Sequence, residues 1–248
     1  MSAFKFEVEN DIAIITMNMP NTAVNTINSE FVAALTQMIA KLESHIEESS
    51  VHKIIGVVLT SAKETFFAGG DLHTLLALTK ESQHELIDMV TTIKAHFRRL
   101  ETMGIPVVAA INGAALGGGY EIALACHHRI VLDSPKAVVG FPEVKLGLMP
   151  GAGGTVRMVR KVGIQKSLSF INEGKQLSPK KALEFGLVDE IASDRTKLLE
   201  QAKIWILANQ SVQQAWDIKG FSIPGGSAAA QKMIPVLSVA PAMIRKRT

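Results

Sequence analysis

This chain of 248 residues holds a single cysteine, Cys126, which excludes an internal disulfide framework and fits a reducing compartment; a cytoplasmic protein is the expectation. It has no long apolar segment. The longest run, Ile105–Leu116, is too short and too glycine-rich to cross a bilayer, so no membrane span is expected. The N-terminal stretch Met1 to Glu9 lacks the basic-then-apolar order of a signal peptide. The seven histidines form no ligand pattern: His127 and His128 are adjacent rather than helically spaced, and His-Glu-x-x-His is absent. There is no Gly-x-Ser-x-Gly elbow. A formal net charge of +3 suits a small polyanionic ligand but does not argue for nucleic acid. No repeat of 20 to 50 residues is visible.

What the chain does have is ample apolar content for a substantial core, and an interleaving of strand and helix patterns. Phe4–Glu9 alternates, Asn10-Asp11 reads as a turn, and Ile12–Met19 is a second β-rich run, which predicts a hairpin. Asn28 or Ser29 can cap a helix with apolar residues at Phe31, Leu35, Met38, Leu42 and Ile46. Ile54–Leu59 reads as a buried strand, and Thr60–Asp71 as a loop. A long helix follows with Leu86, Val90, Ile93, Phe97 and Leu100 on one face. Pro106–Ile111 is another buried strand, Tyr120–Cys126 a short apolar helix, and Arg129–Leu132 a further strand. Pro150–Thr155 opens a helix carrying Arg157 and Arg160. Ser178-Pro179 starts another that ends near Gly186, Leu187–Ile191 is a last short strand, and Asp194–Asn209 is helical. From about Ser211 turn formers take over, as in a linker. The pattern implies an α/β domain over residues 1–209, with 210–248 an extension or the start of a linker.

Two stretches carry a carboxylate in apolar surroundings: Ala115-Leu-Gly-Gly-Gly-Tyr-Glu121 and Gly140-Phe-Pro-Glu143-Val144. Glycines let a ligand approach bare backbone N–H groups. Two glutamates in dry surroundings can be tuned to different protonation states, as acid–base chemistry requires. Each has a plain structural reading as well. Glu121 could serve only the helix dipole, and Glu143 could pair with Lys145 or Arg157. The triple glycine is neither a Walker loop, since no Lys-Ser/Thr follows, nor a dinucleotide fingerprint. Phe66-Phe-Ala-Gly-Gly-Asp71 is a second place where a ligand could touch main chain. Pro150–Thr155 could hold phosphate at a helix N-terminus, but packing is the expected role. Cys126 is expected to be an inert core thiol, and His127 and His128 to lie at the surface or a sheet edge.

The stretches Phe67–Leu72, Ala109–Glu121, Gly140–Gly147 and Pro150–Arg157, in that order, give the chain a resemblance to the crotonase superfamily, the enoyl-CoA hydratase/isomerase group. Trp216–Phe221 with Ile223–Gly226 resembles the segment that follows the hydratase part of large multifunctional fatty-acid oxidation proteins. The resemblance implies a spiral of ββα units with a helical C-terminal region. It implies hydration of trans-2-enoyl-CoA in fatty-acid β-oxidation, with double-bond isomerisation or another acyl-CoA reaction as the alternative. Glu121 and Glu143 would be the catalytic carboxylates, with their division of labour open. The backbone N–H groups of Ala68 and Gly118 would form an oxyanion hole, the first being the looser assignment because Gly70 shares its turn. Main chain at Phe66, Gly70, Asp71, Leu72 and Gly117 would contact the substrate. No cofactor or metal is implied, since coenzyme A belongs to the substrate. A homotrimer or a thiolase partner is implied for the assembly, with nucleic acid not a partner.

Overall fold

The computed structural model describes residues 3–47, 53–71, 74, 76, 77 and 79–245. The N-terminal hairpin forms as the alternation predicts. β1 (Phe4–Glu9) pairs antiparallel with β2 (Ile12–Met17), and Asn10 and Asp11 turn between them at φ 50° and 62°. Asn and Asp tolerate that left-handed geometry better than other non-glycine residues. α1 (Ser29–Glu47) begins where the Asn28 side chain accepts the Phe31 N–H at 2.9 Å, which settles the cap on Asn28. Its stripe of Phe31, Leu35, Met38 and Leu42 is buried.

β2 then runs parallel to β3 (Gly56–Ser61), β3 to β4 (Val107–Ile111), β4 to β6 (His128–Leu132) and β6 to β9 (Glu190–Ala192). With β1 at its edge this makes one six-stranded sheet in the order β1-β2-β3-β4-β6-β9. The near-continuous apolar runs of β3 and β4 are explained by burial on both faces. Val57, Leu59, Val107, Ala109 and Ile111 join the main core, which includes apolar residues of α1, α2 (Gln83–Glu101) and α3 (Gly118–Ala125). The alternate residues Val58, Val108 and Ala110 meet Leu198, Ala202 and Ile206 of α7 (Arg195–Ala208) on the other face. Asp194 caps α7 by accepting the Lys197 N–H.

A second sheet of three very short strands stands apart: β5 (Ala115–Leu116), β7 (Val139–Gly140) and β8 (Gln176–Leu177), in the order β5-β7-β8. β1-β2-α1, β4-β5-α3 and β6-β7 with the following helix repeat the ββα plan. After β7 come a 3₁₀ turn (Glu143–Leu146), α4 (Gly154–Val162), α5 (Ile164–Asn172) and α6 (Pro179–Phe185).

The residues after α7 return to the body. Gln214 donates to the carbonyls of Ala125 and Cys126, and Arg98 forks onto Asp217 with two bonds of 2.8 Å. The Pro224 carbonyl oxygen sits 2.1 Å from where a Cβ on Gly163 would stand, so this crossing needs bare backbone between α4 and α5. A final helix, α8 (Ile234–Arg245), follows. Among the described residues no helix is long and apolar enough to cross a membrane.

Candidate active site

Three backbone stretches build the site before any side chain enters it. Residues 67–70 run beside 114–118. The Phe67 N–H donates to Ala114 O at 3.0 Å, and the Leu116 N–H returns to Phe67 O at 3.0 Å. On its other side the same loop is stitched to residues 25–27, with Ile27 N–H on Gly69 O at 2.8 Å and Asp71 N–H on Ile27 O at 3.0 Å. The result brings Gly69 against Gly117 and Gly118: a Cβ on Gly69 would stand 3.8 Å from the Gly118 nitrogen. β5 pairs parallel with β7, and the Gly117 N–H donates to Gly140 O at 2.9 Å. That pairing carries Glu143, three residues past β7, to the triple glycine.

Among the described residues the amides of four glycines here donate to no acceptor, those of Gly69, Gly70, Gly118 and Gly119. This bears on the expected oxyanion hole. The Ala68 N–H is already spent on Asn25 O at 2.9 Å, and Asp71 and Gly117 have likewise committed theirs. The free donors of this turn are at Gly69 and Gly70, and Gly118 offers one from the facing stretch. The Phe66 side chain is fully buried in the core, and its carbonyl accepts from the Asn25 amide. Leu72 lies outside the described residues.

Glu121 sits in the first turn of α3, which begins at Gly118 rather than at Tyr120 as the sequence pattern suggests. Its side chain is only 3 % exposed with its residue, yet it is not without partners. Oε1 accepts the Gly154 N–H at 2.7 Å, at the start of α4. Burial pushes its pKa up to about 7; the Gly154 bond opposes that, and the nearby Glu143 adds to it. Glu143 lies at the head of the 3₁₀ turn. Burial raises its pKa as well, and its Oε2 is buried with no hydrogen-bond partner among the described residues. Neither the Lys145 nor the Arg157 pair considered for it forms, since Arg157 binds Glu101 instead. Gly117, at φ 53°, lies against Glu143: a Cβ there would stand 2.8 Å from Glu143 Oε1. Two carboxyl groups that feel one another, with unspent glycine amides beside Glu143, can polarise a carbonyl oxygen while one carboxyl takes a proton and the other gives one.

A family model described as enoyl-CoA hydratase/isomerase matches residues 7–217. The chain belongs to that family. It is 44 % identical over 188 residues to the fatty acid oxidation complex subunit alpha of Shewanella loihica, covering 75 % of this chain and 26 % of that protein. It is 40 % identical over 222 residues to the subunit of the same name from Idiomarina loihiensis, covering 89 % and 30 %. The chain thus spans little more than a quarter of these curated relatives. Among solved structures, the enoyl-CoA hydratase of Bacillus anthracis aligns at a TM-score of 0.72 and 30 % identity over 84 % of this chain and 76 % of that one. One from Thermoplasma volcanium aligns at 0.74 and 24 % identity over 100 % and 92 %, which speaks to fold alone. The fold is the crotonase-type α/β spiral.

The family site draws on one stretch to which sequence reasoning gave only a packing role. The turn at 150–154 supplies the amide that holds Glu121. Its signal was the doubled glycine: a Cβ on Gly154 would fall 2.6 Å from Phe141 Cζ and 2.7 Å from Glu121 Cγ. Cys126 is buried, with its thiol pushed up to about 12, an inert core group. The two adjacent histidines are half-buried rather than surface groups. His127 accepts the Val107 N–H, and His128 stacks on Trp205 while pairing with Glu190.

Proposed function

We propose that the chain hydrates trans-2-enoyl-CoA thioesters. The observation that carries the reading is the electrostatic coupling of Glu121 with Glu143 beside uncommitted glycine amides, of which Gly70 and Gly118 are assigned to the substrate. The thioester oxygen accepts both N–H groups, which draws electron density from C3 and stabilises the enolate that forms. Losing one such preorganised donor costs about 3–4 kcal/mol of barrier.

The surroundings of the carboxyls support a division of labour. The Gly154 N–H favours the ionised form of Glu121, which makes it the base that takes a proton from water as its oxygen bonds to C3. Glu143 has no donor on Oε2, and burial favours its protonated form, so it delivers the proton to C2. A C3–O bond and a C2–H bond form as the C2–C3 π bond is consumed; one water O–H bond and the Glu143 O–H bond break, and the pair ends with its proton moved from Glu143 to Glu121. Moving a proton between C4 and C2 uses the same oxyanion site but needs only one carboxyl, so two retained carboxyls favour hydration.

The test is steady-state hydration of crotonyl-CoA by Glu121→Gln and Glu143→Gln, each alone. Both lose kcat by at least about a hundredfold; parental kcat in either folded variant overturns the assignment. Running cis-3-enoyl-CoA with the same preparations separates hydration from isomerisation. The assembly, as trimer or with a thiolase, is a matter for light scattering with and without that partner.

A further inference from the structure

The hydratase reading does not account for a line of alternating charges behind Glu121. It begins at Asp217, in the 3₁₀ turn Ala215–Asp217 beyond α7, whose carboxylate accepts both guanidinium nitrogens of Arg98. Arg98 also donates to Glu101 Oε2 at 2.9 Å. The Glu101 side chain is only 2 % exposed, and its other oxygen accepts Arg157 Nε at 2.7 Å. Arg157 in turn donates to the Ala152 carbonyl at 3.1 Å, and its guanidinium nitrogen lies 2.3 Å from where a Cβ on Gly153 would stand. The turn gripped at its carbonyl by Arg157 presents its amides the opposite way. There the Gly154 N–H, with Ala152 N–H beside it, reaches the Glu121 carboxylate.

A buried Arg–Glu pair is poor evidence for stability, because desolvation offsets most of its attraction. What this one supplies is geometry. A guanidinium fork fixes two bonds in one plane, here one to Glu101 and one to the turn. Each charge is neutralised by the next, so the interior end at Arg157 is compensated only while the outer end stays anchored.

We infer that Arg157, Glu101, Arg98 and Asp217 are positioning residues that hold the 152–154 turn, and through it the carboxyl of Glu121. The segment after the last core helix, which reads as linker in the sequence, thereby becomes part of the acid–base apparatus. The charged groups that bear directly on Glu121 are Glu143 from the 3₁₀ turn and Arg157 from α4; Glu101 and Arg98 on α2 reach it through Arg157.

The catalytic half of this inference rests on the hydratase reading, so its test has a readout that does not. The carboxyl of Glu121 is titrated by ¹³C NMR in uniformly glutamate-labelled protein, with Glu121→Gln assigning the signal, in the parent, Arg157→Lys and Asp217→Asn. Arg157→Lys keeps the charge but loses the fork. Asp217→Asn sits at the half-exposed end, where the fold tolerates change. Slackening of the turn removes amide bonds from the carboxylate and raises the Glu121 midpoint in both, by about half a pH unit or more. Simple deletion of the Asp217 charge acts the other way and lowers it, so the direction separates positioning from long-range Coulomb effects. In crotonyl-CoA hydration kcat falls about tenfold for Arg157→Lys and about twofold for Asp217→Asn, with KM unchanged. A Glu121 midpoint that stays put or falls in both folded variants overturns the inference. A shifted midpoint in a parent protein that hydrates no enoyl-CoA upholds the positioning and defeats the hydratase reading alone.

Discussion

Glu121 and Glu143 are the same residue type, both raised in pKa by burial, and yet they are held in opposite ways. Glu121 stands in a helix of glycine and small apolar residues, gripped by the amide of Gly154. Glu143 stands on a four-residue 3₁₀ turn, with one oxygen over Gly117 and the other buried and unpartnered among the described residues. One is fixed by main chain, the other is free to exchange its proton. The lesson is that backbone donors set identical side chains apart, and the one that grips Glu121 sits on a turn 33 positions away in sequence.

The largest expected effect tests the comparison at its root. Glu121→Gln and Glu143→Gln each reduce kcat by about 10²–10⁴ in crotonyl-CoA hydration, but they fail differently: a preformed nucleophile such as a small thiolate, which needs no base, still adds in Glu121→Gln, whereas Glu143→Gln keeps water activation and loses protonation at C2, so the thiolate does not rescue it. Next comes the oxyanion site. Gly118→Pro removes the donor at a helix start that accepts proline, and it is made with Ile27→Ala because a Cβ at 118 would stand 2.4 Å from Ile27 Cδ1. Relative to Ile27→Ala alone, kcat falls about a hundredfold or more. Gly117→Ala sharpens the contrast between the two carboxyls. Its methyl would press on Glu143 Oε1 at a positive φ, so kcat falls about tenfold while the Glu121 titration is disturbed less than that of Glu143.

The smallest effect is on stability, and its sign follows from linkage. The folded-state pKa of Glu121 is raised from 4.5 to about 7, so the folded protein binds more protons than the unfolded chain between those values. The carboxyl costs nothing below about pH 4.5; stability is lost as pH rises through that window and the loss is complete above about 7. Glu121→Gln therefore raises the melting temperature at pH 8, by an amount worth about 3 kcal/mol at most, and the gain vanishes at pH 4. Differential scanning at the two pH values measures it.

Much of this was legible in the sequence where a period or a turn residue carried it. The hairpin at Asn10-Asp11, the stripes of α1 and α2 and the strand at 107–111 were readable because local spacing determines which face is buried, while the two glutamates stood out by their apolar neighbours and glycine turns. Three things were not. The strands β5, β7 and β8 are two residues each, too short for any period to register. The choice of Gly70 over Ala68 as the free donor depends on Asn25, whose carbonyl consumes the Ala68 amide from 43 positions upstream. The turn at 150–154 was read as packing because its doubled glycine signals a close approach without saying that Glu121 is what approaches. Letters report what a residue can do; they do not report which of its hydrogen bonds a distant strand has already taken.

The crossing of Pro224 over Gly163 has a practical reading for anyone who would cut this domain from a larger polypeptide. A boundary drawn at the end of α7 would strip away the chain that seals the joint between α4 and α5, baring Gly163 to water at the hinge of two helices. A cut placed after Gly226 keeps the seal, and any side chain put at position 163 would pry it open even in an uncut protein.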